Sequence, residues 1–142
     1  MTQRGLRESY EAIIAAVAAA DDDVLDQLIA TDLVDHNPVP GQEPGRAGFK
    51  YWVATVHNAF PDISGVVEDT VVQGDKVAAR VTWRGSHRGA FAGVPGTGAA
   101  VELQAVHIVR FADGRAIEWW GTADIFGALQ QVGASVVPPQ QR

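Results

Sequence analysis

The sequence contains no cysteine and no long apolar run. Without a thiol, the 142-residue chain can hold no disulfide, no thiolate nucleophile and no cysteine-ligated metal. No apolar stretch reaches the roughly 18–20 residues that a membrane-spanning helix needs. The first residues also lack the apolar core of a secretory signal. We therefore expect a cytoplasmic protein that does not insert into a membrane.

Basic residues are scarce as well. Lys and Arg together number 11 and Asp and Glu 17, which gives a formal net charge of -6. Because nucleic-acid binding relies on a basic surface, this balance argues against DNA or RNA as a partner. The four histidines, at positions 36, 57, 87 and 107, show none of the i, i+4 spacing that places two imidazoles on one helix face. We expect no metal ion.

Apolar residues at helical spacing predict three helices in the first half of the chain. The first extends to about Ala20, and Asp21 can cap a short second helix whose buried face includes Leu25 and Ile29. Residues 31–48 are rich in proline and glycine and are predicted to form a loop. The third helix covers residues 49–60 and ends before Pro61, which cannot continue a helix.

From Ile63 onward the apolar period changes to two, which predicts four strands in a meander. Turns are expected at Gly74 and at Asp113-Gly114, since Asp-Gly between apolar runs is a strong hairpin signal. The strand before the second turn alternates, so that an apolar set with one imidazole shares the inner face: Leu103, Ala105, His107, Val109 and Phe111.

This order of elements predicts an α+β cone, with three N-terminal helices packed on a curved antiparallel sheet that encloses a pocket. Such a pocket suits a small apolar ligand. No linker or internal repeat divides the chain, so we expect a single domain over residues 1–142. Its core spans about 6–133, and residues 134–142 are expected to form a flexible tail.

Several short motifs, in order along residues 8–133, resemble the SnoaL-like polyketide (ester) cyclases of the NTF2-like superfamily. Early motifs are Asp35-His36-Asn37 and Phe60-Pro61-Asp62. Later ones are the segment from Trp83 to Gly98, His107-Ile108-Val109-Arg110-Phe111, Glu118-x-Trp120, and Asp124-x-x-Gly127-x-Leu129. The resemblance implies an intramolecular aldol ring closure of a polyketide ester without metal or cofactor. It implies that Asp124 is the acid/base residue and that His107 assists it. The family often has a histidine between Glu118 and Trp120, where this chain has Trp119.

Each catalytic candidate also has a structural interpretation. Asp124, expected beside Trp120 and Phe126, would be partly desolvated and suited to proton transfer. It could instead cap a short helical turn that begins at Ile125. His107 could donate a hydrogen bond to an enolate oxygen, or it could be a hydrogen-bonded core residue.

The substrate pocket is expected to combine histidines with aromatic side chains, which suit a planar or polycyclic ligand. His57, beside the apolar stripe of the third helix, is predicted to be structural. The candidate substrate-binding residues are His36, Trp52, Phe60, Trp83, His87, Phe91 and Trp120.

Three alternatives remain open at this point. Tyr10, Asp35 and His107 occupy positions similar to those of the tyrosine, base and second oxygen-binding donor of ketosteroid isomerases. A hydroxylase of the cyclase-like group would use similar residues. The chain could also be a binding or dimerisation module without activity, since fold does not fix function.

The predicted sheet leaves one face without helices. That face carries Arg80, Thr82 and Arg84, and such faces commonly pair with each other. The sequence therefore predicts a homodimer through the open sheet face.

Overall fold

A computed structural model describes residues 5–135 and 137–140, with four helices and five strands in this part of the chain. In chain order the elements are α1 (Leu6–Ala19), α2 (Asp22–Leu28), β1 (Ile29–Asp35), α3 (Gly45–Ala59), β2 (Ser64–Gln73), β3 (Lys76–Ser86), β4 (Ala100–Ala112), β5 (Arg115–Ala123) and α4 (Ile125–Gln131). The strands form one sheet in the order β1-β5-β4-β3-β2. The predicted α+β architecture, an NTF2-like fold, is confirmed.

The sheet is mixed, which corrects the expectation of a purely antiparallel one. β1 pairs in parallel with β5, while the other neighbouring strands are antiparallel. The sequence predicts Ile29 in the second helix and residues 31–48 as a loop, whereas the structure forms β1 from Ile29–Asp35. Partners far along the chain hold this edge strand in place, since Ile29 lies opposite Ala116 and Asp35 opposite Trp119. A local pattern does not reveal such pairing.

Local signals placed the helices well. Asp21 caps α2 by accepting a hydrogen bond from the Val24 N–H at 3.2 Å, as predicted. α3 ends at Ala59, just before Pro61, but begins at Gly45, earlier than the apolar spacing indicated. The sequence indicates α4 only as a short helical turn that Asp124 could cap, and the structure contains this helix.

The hairpin between β4 and β5 turns at Asp113 and Gly114, whose φ angles of 51° and 76° suit a tight turn of the primed type. The inner face of β4 is buried at Ala105, His107, Val109 and Phe111, as the alternation predicted. The intervening Val106 and Ile108 are exposed on the outer face. Side-chain alternation thus separates a face that packs on the helices from one that does not.

The core lies between the helices and the inner face of the sheet. Among its fully buried side chains are Tyr10, Ile13, Leu25 and Phe49 from the helices. A smaller cluster joins the end of α3 to α4 and includes Phe60, Ala128 and Val132. The helices therefore close one side of the space above the inner face of the sheet.

Among the described residues, no helix has the length and apolarity needed to cross a membrane. The single-domain assignment over residues 1–142 stays a prediction. Within the predicted tail, residues 136, 141 and 142 lie outside the described part of the chain, as do residues 1–4 at the other end.

Candidate active site

A cavity of about 580 Å³ lies between the inner face of the sheet, α3 and the segment that follows β1. Its lining is mostly apolar, with a few polar side chains that include Asp35, Gln42 and His107. A volume of this size suits a small organic ligand. Five of the predicted site residues line it: Trp52, Phe60, Trp83, Phe91 and His107.

His107 is held at the cavity wall by Tyr10. The two side chains are buried, and the Tyr10 hydroxyl oxygen lies 2.8 Å from His107 Nδ1. Burial lowers the pKa of His107 to about 4, so the imidazole is neutral near neutral pH. Burial also raises the pKa of Tyr10, which therefore keeps its proton.

The Tyr10–His107 bond assigns the tautomer of the imidazole. The Tyr10 hydroxyl is sealed from solvent, and His107 Nδ1 is its one side-chain partner among the described residues. Because a buried hydroxyl needs an acceptor, Tyr10 donates to Nδ1 and the ring proton resides on Nε2. His107 thus presents an N–H donor, and not a basic nitrogen, on the side away from Tyr10.

Asp35 supplies a carboxylate to the cavity wall at the end of β1. Its Oδ1 accepts from the Asn37 N–H at 2.9 Å and its Oδ2 from Gln42 Nε2 at 2.9 Å. Gln42 is itself oriented because its Oε1 accepts from the Val39 N–H at 3.1 Å. This network fixes the position of the carboxylate.

Asp124 lies outside the residues that line the cavity, although its neighbours Ala123 and Ile125 belong to them. Its side chain is exposed and its Oδ1 accepts from the Gly127 N–H at 2.9 Å, which caps α4. The expected desolvation by Trp120 and Phe126 is wrong, because Trp120 is on the outer face and Phe126 is 55% exposed. The capping role is confirmed, and a catalytic role for Asp124 stays a prediction.

His36 and Trp120 lie together on the outer face of the sheet and not in the cavity lining. Their rings stack with centroids 4.5 Å apart and planes 7° apart. His36 Nε2 lies 2.8 Å from Glu118 Oε2, and Lys76 Nζ is 5.5 Å from the centre of the Trp120 ring. The structure therefore separates these two from the substrate-binding residues that the sequence grouped them with.

His87 is fully buried and acts within the loop between β3 and β4. Its Nδ1 accepts from the Thr97 N–H at 3.3 Å, and its Nε2 lies 3.2 Å from the Val94 carbonyl oxygen. The ring packs against Phe60 and Phe91, which do line the cavity. His87 thus supports the cavity wall from behind. His57 bonds the Val17 carbonyl at 2.8 Å, the structural role predicted for it.

The predicted site residues did not include Gln42 and Gly121, and Trp119 was considered only as one of several aromatic residues of the core or pocket; all three line the cavity. Gln42 carried no signal within its loop. Trp119 and Gly121 could have been assigned to the inner face only with the register of β4 against β5, in which Val109 pairs with Trp119 and His107 with Gly121. Among the described residues, no group of three or more His, Asp or Glu side chains is arranged to hold a metal ion.

Comparison with known proteins places these features in a family. The family model described as SnoaL-like polyketide cyclase matches residues 7–132. IdmH from Streptomyces antibioticus, a candidate polyketide cyclase, is 32% identical with a TM-score of 0.83, over 92% of this chain and 100% of IdmH. No curated protein matches the chain.

Two further solved structures extend this comparison. TsrD from Streptomyces laurentii is 27% identical with a TM-score of 0.85, over 95% of this chain and 100% of TsrD. AclR from Streptomyces galilaeus, a candidate hydroxylase, is 27% identical with a TM-score of 0.78, over 90% of this chain and 95% of AclR. The family match spans most of the chain. The protein therefore belongs to the SnoaL-like polyketide cyclase family.

Proposed function

We propose that the protein catalyses an intramolecular aldol-type ring closure on an apolar, carbonyl-bearing, polyketide-like small molecule. The observation that carries the proposal is the apolar cavity of about 580 Å³ with a neutral His107 donor and the Asp35 carboxylate in its wall. An apolar site that contains a few convergent polar groups is typical of acid–base catalysis on a small molecule. Similarity to IdmH supports the same class of substrate.

The proposed reaction needs one base and one oxygen-binding donor. A carboxylate removes a proton from a carbon flanked by carbonyls, and the resulting enolate oxygen is stabilised by the His107 Nε2–H. The enolate carbon then attacks a second carbonyl carbon of the same molecule and forms the ring bond. The new alkoxide takes back the proton from the carboxylic acid, so that atoms and charge balance.

Two carboxylates are candidates for the base. The family resemblance points to Asp124, whereas the cavity lining favours Asp35, the base of the isomerase alternative. In that alternative Tyr10 would contact the substrate, but here its hydroxyl is engaged with His107. This contact weakens the isomerase alternative but does not affect Asp35. Because Asp35 lines the cavity and Asp124 does not, we favour Asp35 as the base and retain Asp124 as the competing prediction.

The test is turnover of a set of polyketide methyl esters by the wild type, Asp35→Asn and Asp124→Asn. Asparagine keeps the size of the side chain but cannot act as a base near neutral pH. Loss of the base should lower kcat by about 10²–10⁴, and we expect this for Asp35→Asn alone. Asp32→Asn, an exposed change on the same strand, is the matched control.

The outcomes separate the alternatives. A loss of turnover confined to Asp124→Asn assigns the base to Asp124. If both variants turn over the esters as fast as the wild type does, neither carboxylate is the base. Binding of the esters without turnover by the wild type argues against ring closure of these esters and favours a binding module.

A hydroxylase is the second candidate function, favoured by the similarity to AclR. It differs from the cyclase in consuming dioxygen. An oxygen electrode in the ester assay distinguishes the two, since ring closure leaves the oxygen concentration unchanged.

We also propose that the chain forms a homodimer through the outer face of the sheet. Val66, Val106 and Ile108 are 46%, 47% and 41% exposed on that face, beside Arg80 and Arg84. Light scattering should give twice the chain mass for the wild type and the single-chain mass for Ile108→Glu. A wild-type monomer at micromolar concentration contradicts the dimer. Location in the cytoplasm stays a prediction.

A further inference from the structure

A second N–H donor lies beside His107 in the cavity wall. Trp119 lines the cavity from β5, and its ring centroid is 4.9 Å from that of His107 with the planes at 54°. The indole Nε1–H can donate a hydrogen bond but cannot accept one. Trp119 therefore adds a donor and no base.

Neither nitrogen is engaged with the protein. In the described part of the chain, Trp119 Nε1 and His107 Nε2 make no hydrogen bond. In that same part, a single side-chain nitrogen or oxygen is both sealed from solvent and without a hydrogen-bond partner, and it is Arg110 Nε. (Arg110 Nε approaches Glu118 Oε1 at 3.0 Å without hydrogen-bond geometry.) The two ring nitrogens are therefore not sealed. Since both residues are almost fully buried and line the cavity, these nitrogens open toward it.

Gly121 provides the space between the two donors. A Cβ at this position would lie 3.2 Å from His107 Cδ2, the carbon bonded to Nε2, and 3.2 Å from Trp119 Nε1. These contacts are tighter than ordinary van der Waals packing. Any side chain at position 121 would thus crowd the two N–H groups, and glycine leaves a small volume that both of them border.

We propose that His107 Nε2–H and Trp119 Nε1–H together bind one ligand oxygen in the space above Gly121, with preference for an oxyanion. Tyr10 is a positioning residue for this site, because its hydroxyl occupies Nδ1 and keeps the proton on Nε2. Two donors fixed in an apolar cavity favour an oxygen that carries negative charge over a neutral one. The identification of that oxygen as an enolate rests on the proposed function, but the donor pair does not.

The probe is 2-naphthol, a planar phenol whose absorbance spectrum distinguishes phenol from phenolate. Naphthalene, which has the same rings without the oxygen, reports the apolar contacts alone. In the wild type we expect the bound phenol to ionise at a lower pH than the free phenol. Trp119→Phe should weaken phenolate binding by about tenfold or more, with little change for naphthalene.

Two further variants sharpen the result. Gly121→Ala keeps both donors but fills the space, so phenolate binding should weaken as in Trp119→Phe. Trp120→Phe makes the same chemical change on the opposite face of β5 and should leave both affinities unchanged. Thermal unfolding of each variant checks that it folds.

A measurement on the unmutated protein removes the dependence on variant folding. In ¹H–¹⁵N spectra, the Trp119 indole proton should move downfield when 2-naphthol binds, whereas the Trp120 indole proton should not move. Phenolate binding that Trp119→Phe leaves intact overturns the proposal. The proposal is also overturned if Trp119→Phe weakens naphthalene binding as much as phenolate binding, or if the wild type shows no preference for the phenolate over the phenol.

These outcomes are independent of catalysis. If the wild type binds phenolate through Trp119 but closes no ring in the ester assay, the donor pair stands and the proposed function fails. If ring closure occurs but Trp119→Phe binds phenolate normally, the proposed function stands and the donor pair fails.

Discussion

The two faces of the sheet each carry a histidine beside a tryptophan, and the two pairs have opposite characters. On the inner face, His107 and Trp119 are 5% and 4% exposed, tilted at 54°, and open to an apolar cavity. On the outer face, His36 and Trp120 stack at 7° in contact with solvent, with Glu118 and Lys76 as charged partners. The same residue types therefore build a candidate oxygen-binding site on one face and a solvated surface cluster on the other.

The difference lies in what burial does to polar groups. Inside, the cost of charging a desolvated imidazole lowers the pKa of His107 to about 4 and leaves it a neutral donor. Outside, His36 is in contact with solvent, and its Nε2 lies 2.8 Å from Glu118 Oε2. The face of the sheet, and not the type of residue, thus decides whether a histidine is a buried neutral donor or a solvent-exposed side chain.

The largest expected effect comes from truncating the two tryptophans in turn. Trp119→Ala should lower the free energy of unfolding by about 3–5 kcal/mol, because it opens a cavity among buried neighbours such as Tyr10 and Phe49. Trp120→Ala removes only surface stacking and should cost about 1 kcal/mol. Urea unfolding monitored by circular dichroism measures both. Equal losses would abolish the distinction between the faces.

The pH dependence of stability sharpens the comparison next. Because folding lowers the pKa of His107 from 6.5 to about 4, its contribution is fully present above pH 6.5 and is lost as the pH falls toward 4. The unfolded chain binds the proton first, so the free energy of unfolding should decrease by on the order of 3 kcal/mol over that range.

Chemical denaturation at several pH values checks this expectation. His107→Gln removes this contribution and should flatten the profile between pH 6.5 and about 4. A wild-type profile that runs parallel to that of His107→Gln would show that the buried imidazole is not the group responsible.

The smallest effect concerns the bond that orients His107. Tyr10→Phe removes the donor to Nδ1 and leaves a buried acceptor without a partner, which should cost about 1–3 kcal/mol. Tyr51→Phe, at a tyrosine that is 47% exposed, should change the free energy of unfolding by less than about 0.5 kcal/mol. Thermal unfolding compares the melting temperatures of the two variants. Identical melting temperatures would contradict a stabilising hydrogen bond from Tyr10 to His107.

Much of the fold could be predicted from the sequence. Helical spacing together with the capping residue Asp21 located the start of α2, and Pro61 located the end of α3. Period-two alternation placed His107 on the inner face of β4. These features depend on near neighbours in the chain, whose geometry the backbone fixes locally. The order of motifs from Asp35 to Leu129 identifies the family without the tertiary structure.

The sequence did not reveal which tryptophan enters the cavity. From the turn at Asp113-Gly114, a regular hairpin places His107 opposite Trp120 and turns Trp120 inward. The structure instead shifts register between Arg110 and Phe111, since Phe111 pairs with Ala116 but Arg110 pairs with Glu118. One extra residue in β5, Ile117, therefore reverses every later side chain of that strand, so that Trp119 and Gly121 face inward.

The sequence by itself thus determined most of the elements, although not β1, together with the inner face of β4 and the family. The tertiary structure decided the partners of those elements: β1 beside β5, Tyr10 beneath His107, and Gly121 between two N–H donors. Periodicity and capping depend on residues that are close in the sequence. The register shift and the contact between Tyr10 and His107, which are 97 residues apart, arise only when the sheet packs on the helices.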